Sequence, residues 1–348
     1  MKFVASCADL SAALKAVAKA VGSGKQHQVL SGVLLTAEAD AVRLTTYDLE
    51  TGISITIPAA VEAPGAACPP HRLLADLVGR LDGSGPLTVA LDGQSLKLAT
   101  TSGSYSLQSH EAEDFPTLPV ITAEPSDLID LGPAIAAVTT AASNDAAKAL
   151  LQGVHLHAAG GVLTLEATDG HRLAIRQLNW DGTLNLVLPA RLLRLCHGPL
   201  SIAADDTYAN LQLAGGAQII CRLLQGTYPQ VQSLIPQDFK HICQFDRDDL
   251  IVAIQRAAIV SGNGIIKLTA KSVAAESEGS GGKETIVGNG TLPTLAMNAS
   301  YILDALQGLD GDEVVISANT ATTPVVVRPL DDLSQTGLIM PVHIRNES

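Results

Sequence analysis

Asp169 and His171 stand on either side of one glycine in the stretch Glu166-Ala-Thr-Asp-Gly-His-Arg-Leu-Ala174, where a carboxylate and an imidazole could act as an acid/base pair. Hydrolysis would also need an activated nucleophile, and no G-x-S-x-G elbow accompanies them. His155 and His157, two apart, would face one side of a strand and could share a metal ion. No third ligand at a familiar spacing accompanies them, so no metal is expected. Gly22-Ser-Gly-Lys25 resembles a phosphate loop only in passing. Lys19 stands where the first glycine is needed and Gln26 where a serine or threonine is needed. No catalytic residue or cofactor is expected, which leaves binding.

The elements that position these residues are strands. Val162–Leu165 and Leu173–Gln177 alternate as a hairpin would, with Asp169-Gly170 as its tight turn. The plainest reading of the stretch is that it closes two strands. An earlier stretch, Arg43-Leu-Thr-Thr-Tyr-Asp-Leu-Glu-Thr-Gly-Ile53, places Asp48 like Asp169, 121 residues apart (169 − 48). Leu73-Leu74 is echoed by Leu192-Leu193 and Ile302-Leu303, and Phe115-Pro116 by Tyr228-Pro229 and Leu234-Ile-Pro236. Such self-similarity indicates three copies of one unit, the third shorter. The expected domains are 1–120, 121–241 and 242–348.

In the first copy, Ser6 to Asp9 reads as a capping box for a helix to about Val21, with Leu10, Leu14, Val17 and Val21 on its buried face. Val29–Leu35, Ala41–Thr46 and Ile53–Ile57 read as strands, and a second helix spans His71–Leu81. The second copy opens with Pro133 at the start of a helix and has another from Ala190. In the third, Asp246 caps a helix, Glu276-Ser-Glu-Gly-Ser-Gly-Gly-Lys283 reads as a flexible loop, and Ser300–Leu309 is a helix without basic residues. The fold class is α+β, with two helices per copy packed on antiparallel sheets.

The 348 residues suffice for three domains, and 47% hydrophobic content makes them globular. Aromatics at 3% argue against stacking single-stranded bases. With 22 basic and 35 acidic residues the net charge is −13, so nucleic-acid binding depends on where the cations lie. Lys15, Lys19, Arg72, Arg80, Arg191, Arg194, Arg247 and Arg256 fall on helices, and Lys25 follows the first of them; helices lining one face would offer DNA a basic surface. Five scattered cysteines suit a reducing compartment. With Asp9 near the N-terminus and no apolar run of 18 residues, a cytoplasmic protein is expected.

The run Ala167-Thr-Asp-Gly-His-Arg-Leu-Ala174, the Tyr228-Pro229 and Leu234-Ile-Pro236 exit, Arg256-Ala-Ala-Ile259 and Met340-Pro341 resemble the bacterial DNA polymerase III beta subunit family, the beta sliding clamps. Met1-Lys-Phe3, Asp48-Leu-Glu50 and Asp114-Phe-Pro116 fit the same family. The resemblance implies three clamp domains, joined head to tail with a second copy in a homodimeric ring whose helices line a pore around double-stranded DNA. It implies a non-catalytic processivity factor that tethers DNA polymerase III through its alpha subunit, and that also binds the clamp loader and repair proteins. It places a peptide-binding cleft at Leu151, Thr168, Gly170, His171, Arg172, Leu173, Pro229, Leu234, Leu338, Met340, Pro341 and Val342. It places the dimer contact at Tyr105 and Leu107 of the edge strand Ser104–Gln108 against Ile259 and Val260. The alternatives are a clamp-like adaptor that binds cleft motifs without stable ring closure, and a hydrolase built on Asp169 and His171.

Three departures stand out. The third domain is expected to lack a strand after Val260, Ser233 stands where a basic residue is common, and Arg345-Asn-Glu-Ser348 extends past Ile344.

Overall fold

The computed structural model describes residues 1–343 apart from 26, 82–84 and 128. The tail Arg345–Ser348 and the phosphate-loop position Gln26 lie outside the described residues. The chain forms two compact units, 1–129 with 198–222, and 130–197 with 223–348.

In the first unit, α1 (Cys7–Val17) begins where the Ser6 hydroxyl accepts the Asp9 amide at 3.3 Å, satisfying one of the helix's free N–H groups. Leu10, Leu14 and Val17 are fully buried, as the periodicity requires. A short 3-10 turn, Ala18–Ala20, continues the helix, so Val21 lies just past it. α2 (His71–Val78) packs beside α1, and the His71 ring shares a hydrogen bond with the Leu14 carbonyl at 2.9 Å. One antiparallel sheet runs Ala60–Ala63, Lys2–Ser6, Pro86–Asp92, Ser95–Ala99, Ser104–Gln108. A second contains, in order, Pro199–Ala204, Tyr208–Leu213, Gln218–Arg222, Thr51–Pro58, Ala41–Tyr47, Leu34–Glu38 and Gly65–Ala67.

In the second unit a nine-stranded sheet runs Leu184–Pro189, Gly153–Ala159, Val162–Thr168, Arg172–Asn179, Gln335–Ile339, Val325–Pro329, Glu313–Ala318, His241–Asp246, Asn289–Gly290. A four-stranded sheet runs Ser280–Thr285, Ser272–Ser277, Ile265–Leu268, Leu295–Asn298. The helices are α3 (Gly132–Thr139), with Pro133 in its first turn, α4 (Ala190–Leu193), α5 (Arg247–Val260) and α6 (Ala299–Gln307). Asp246 caps α5 by accepting the Asp249 amide at 2.8 Å, and Asn298 caps α6 through Ser300 at 2.9 Å. No helix among the described residues is long and apolar enough to cross a membrane.

The same succession recurs three times: a strand, a helix, three strands in hairpin order, one or two strands leading into a second helix, and three closing strands. Three expectations are corrected. Val29–Leu35 is a 3-10 turn, Gln28–Ser31, followed by the strand Leu34–Glu38, because the Val29 carbonyl turns back onto the Gly32 amide. Glu276–Lys283 is no flexible loop. It is the bend of a hairpin in which Ser277 pairs with Ser280 across Glu278 and Gly279, the glycine at φ 78°. The third copy therefore keeps three hairpin strands, Ile265–Leu268, Ser272–Ser277 and Ser280–Thr285. Its shortening lies in the link from α5 to the first of them, only Ser261–Gly264.

Candidate functional site

The hairpin at Asp169 owes its shape to three side chains. Thr168 pairs with Leu173. Asp169 Oδ1 accepts the amides of His171 and Arg172 at 2.8 and 3.1 Å, and Oδ2 accepts the Arg172 Nε–H at 3.1 Å. The Thr168 hydroxyl donates to the Arg172 carbonyl at 2.6 Å, and Gly170 turns through φ 94°. The carboxylate is thus committed to holding the turn, while the His171 ring projects into solvent.

Arg172 reaches away from the turn. Its guanidinium pairs with Asp304 of α6 at 2.5 Å, donates to the Thr140 carbonyl just after α3, and lies 4.3 Å from the centre of the Tyr301 ring. Four strand positions along, the buried Arg176 donates to the Gly308 carbonyl and pairs with Asp310 at 3.4 Å; burial pulls its pKa down. The two arginines bind the hairpin strand to both ends of α6.

Beneath the turn lies an apolar floor. Leu173, Ile175, Val187, Tyr228, Val231, Val326 and Leu338 form one buried cluster, with Leu150, Leu151, Leu224, Ile235 and Phe239 packed partly over it. Strand Arg172–Asn179 pairs directly with Gln335–Ile339, Leu173 against Leu338, and the Met340 amide donates to the His171 carbonyl at 2.8 Å. Above the floor, Leu234 is 61% exposed and Met340 38%. Pro229 is exposed beside the buried Tyr228, Pro341 is half-buried, and Val342 is tied by its amide to the Ala296 carbonyl at 2.7 Å. Ser233 caps its own short turn by donating to the Gln230 carbonyl at 2.7 Å. Hydrophobic, solvent-open and edged by hydrogen-bonding backbone, such a surface suits an extended peptide with apolar anchors.

Sequence reasoning missed Tyr228 as a structural post. Its hydroxyl accepts the Thr168 amide at 3.2 Å, its ring stacks 5.0 Å from His155, and burial raises its pKa. It also missed Ile175, Val187 and Val326, whose only signal was alternation along their strands.

The cations expected to face DNA divide into two groups. Lys15, Lys19, Lys25 and Arg191 are exposed, and Arg72 and Arg80 are exposed on either side of Asp76 at 3.8 and 3.9 Å. Arg194, though exposed, donates to the Thr139 carbonyl, and the half-buried Arg247 to the Leu309 carbonyl, both at 2.6 Å, which ties them to neighbouring backbone. Arg256 is exposed, 3.6 Å from Glu284. In the first unit, the outer strand Ser104–Gln108 exposes Tyr105 and half-buries Leu107. In the second, Ile259 is 83% exposed at the end of α5, and Val260 lies against Gly282 of the outer strand Ser280–Thr285.

Comparison with known proteins gives a consistent result. Three domain families match in order: DNA polymerase III beta subunit, N-terminal domain, over residues 1–119, its central domain over 129–230, and its C-terminal domain over 232–343. The beta sliding clamp of Synechocystis sp. is 32% identical, covering 99% of this chain and all of its own length; that of Synechococcus elongatus is 32% identical with the same coverage. The crystal structure of the DNA polymerase sliding clamp from Bacillus subtilis is 27% identical and superimposes with a TM-score of 0.90 over 99% of this chain and the whole of that one. A carboxylate locked into a turn, an open apolar floor and three copies of one fold agree with that family and not with a hydrolase. The chain belongs to the DNA polymerase III beta subunit family and is a DNA sliding clamp, a non-catalytic processivity factor.

Proposed function

We propose that two copies of this chain close head to tail into a ring around double-stranded DNA and present the surface beside Asp169 to short peptide motifs of the replicative polymerase. One observation carries the ring: a single pairing rule repeats along the chain. The third hairpin strand of the first copy, Thr51–Pro58, pairs antiparallel with the last strand of the second, Gln218–Arg222. The third hairpin strand of the second copy, Arg172–Asn179, pairs in the same way with the last strand of the third, Gln335–Ile339. Applying the rule once more leaves Ser280–Thr285 of the third copy and Ser104–Gln108 of the first, each at the edge of its sheet. Within one chain they have no further copy to pair with; across a two-fold they complete each other twice. Tyr105 and Leu107 then meet Ile259 and Val260, burying apolar groups that are otherwise wet. Domains bounded at 1–120, 121–241 and 242–348 suit this scheme.

The pore cations in this reading are Lys15, Lys19, Lys25, Arg72, Arg80, Arg191, Arg194, Arg247 and Arg256. With Arg194 and Arg247 committed to carbonyls and no base on α6, the grip on phosphate is light. A topological tether tolerates that, since tight phosphate contacts would slow sliding. Leu151, Leu173 and Leu338 floor the cleft, Leu234, Met340, Pro341 and Val342 flank it, Pro229 stands at one end, and Thr168, Gly170, His171 and Arg172 supply its rim. Its occupants are the DNA polymerase III alpha subunit, the clamp loader and other clamp-motif proteins, in the cytoplasm. Ser233 removes a positive charge from the rim and shifts preference away from acidic motifs.

The test is retention on nicked circular DNA after loading. A ring stays bound in high salt and leaves when the circle is linearised. Salt-labile binding, indifferent to linearisation, would instead identify an open adaptor.

A further inference from the structure

Behind the cleft hairpin three side chains converge that clamp function does not use. His155 and His157 rise from one face of strand Gly153–Ala159, and Glu166 lies directly opposite His155 on the neighbouring strand. One ligand atom from each lies within 4.8 Å of the others. Glu166 Oε1 is 2.8 Å from His155 Nδ1 and 3.8 Å from His157 Nε2. Two ligands on a tetrahedral ion with bonds of about 2.0–2.1 Å stand roughly 3.3 Å apart, between those separations. The sequence hid the third ligand because it is adjacent across the ladder and eleven residues away along the chain.

The outer contacts are those of a metal site. His155 Nδ1 faces Glu166 Oε1 at 2.8 Å and its Nε2 faces Asn185 Oδ1 at 2.9 Å; with the Nε2–H given to Asn185, a cation at Nδ1, a proton or a metal ion, bridges the ring to the carboxylate. Two acceptors at that distance need a positive centre between them. A proton can serve one such pair, but His157 addresses the same oxygen. Glu166 is only 3% exposed, and a buried carboxylate requires compensating charge. Its second oxygen is approached by Gln232 Nε2 at 3.4 Å. Imidazole, imidazole and carboxylate are the donors that late first-row divalent ions favour.

We propose that His155, His157 and Glu166 bind one divalent transition-metal ion of the zinc class, with Asn185 and Gln232 orienting the ligands and a fourth position open to solvent on the His157 side. The ion would cross-link strands Gly153–Ala159 and Val162–Thr168. Through the stack of His155 on Tyr228, whose hydroxyl holds the Thr168 amide, it would brace the rear of the cleft turn.

The experiment uses the full-length chain stripped with chelator, titrated with Co2+ as an optical probe and with Zn2+ in competition by calorimetry. One saturable equivalent per chain is expected, with visible d–d bands and a raised melting temperature. His157→Ala and the more conservative His157→Gln should each abolish it while melting, metal-free, near the parent temperature. Asn185→Leu should weaken it about 10–100-fold, as outer contacts do. The exposed His27→Ala should leave it unchanged. Absence of saturable binding in the parent, or binding undiminished in either His157 variant, would overturn the site.

Discussion

The turns at Asp48 and Asp169 are chemically the same device put to different ends. Asp48 Oδ1 accepts the amides of Glu50 and Thr51 at 3.0 and 2.6 Å, as Asp169 Oδ1 does for His171 and Arg172. Both turns need a left-handed residue next, Leu49 at φ 75° in one and Gly170 at φ 94° in the other. The difference lies in what covers the strand that follows. Beside the first turn, Leu118 of the exit segment packs so closely on Gly52 that a Cβ there would sit 2.4 Å from its Cδ2, and Leu49, Tyr47 and Phe115 complete a closed cluster. Beside the second, Gly52 is replaced by Leu173, Val231 enters the floor instead, and Leu234 is left in solvent. The first copy fills its own groove; the second leaves its groove open to solvent. A docking site can thus arise from a repeat without new turn chemistry, by withdrawing the side chain that plugs it.

The two turns differ most in stability at Arg172, which stands where the first turn has Thr51. Arg172→Ala leaves Asp304 and the Thr140 carbonyl without their donor and should cost about 3 kcal/mol in denaturant unfolding. Thr51→Ala should cost well under half of that. At the open groove, Leu234→Ala should weaken an apolar cleft peptide about tenfold by fluorescence anisotropy while moving stability less than about 0.5 kcal/mol. A loss of stability with unchanged peptide affinity would mean that Leu234 is packing, not docking. The paired substitutions Asp48→Ala and Asp169→Ala should each cost about 1 kcal/mol, since each frees two backbone amides. Only the second should also weaken the peptide. The smallest effect is at Leu49: Leu49→Gly relieves a left-handed leucine but also removes its packing in the closed cluster, and the two should nearly offset, leaving the melting temperature little changed.

The turn, the caps and the threefold repeat were legible because each rests on local chemistry: Asp before a left-handed residue, Ser6 and Asp246 before helices, apolar positions at helical spacing on α1. What was hidden depends on neighbours far along the chain. Ser280–Thr285 carries two glycines and no apolar side chain, so it reads as a loop; it is a strand because Ser272–Ser277 pairs with its full length. Val29–Leu35 is apolar enough for a strand, yet its first half curls into the cluster under Tyr47. The roles of Arg172 and Arg176 became visible only with α6 in place, 132 residues away. Arg194 and Arg247 read as free cations because sequence does not reveal which carbonyls a helix end leaves within reach.

Ring closure rests on the two unmatched edges, and the solution mass of the chain tests it. Sedimentation at low micromolar concentration should give a species near twice the chain mass of 36.0 kDa, and Ser106→Pro, which removes an amide from the Ser104–Gln108 edge, should lower it toward one chain. A parent chain that sediments at 36.0 kDa across that range would contradict ring closure by strand pairing.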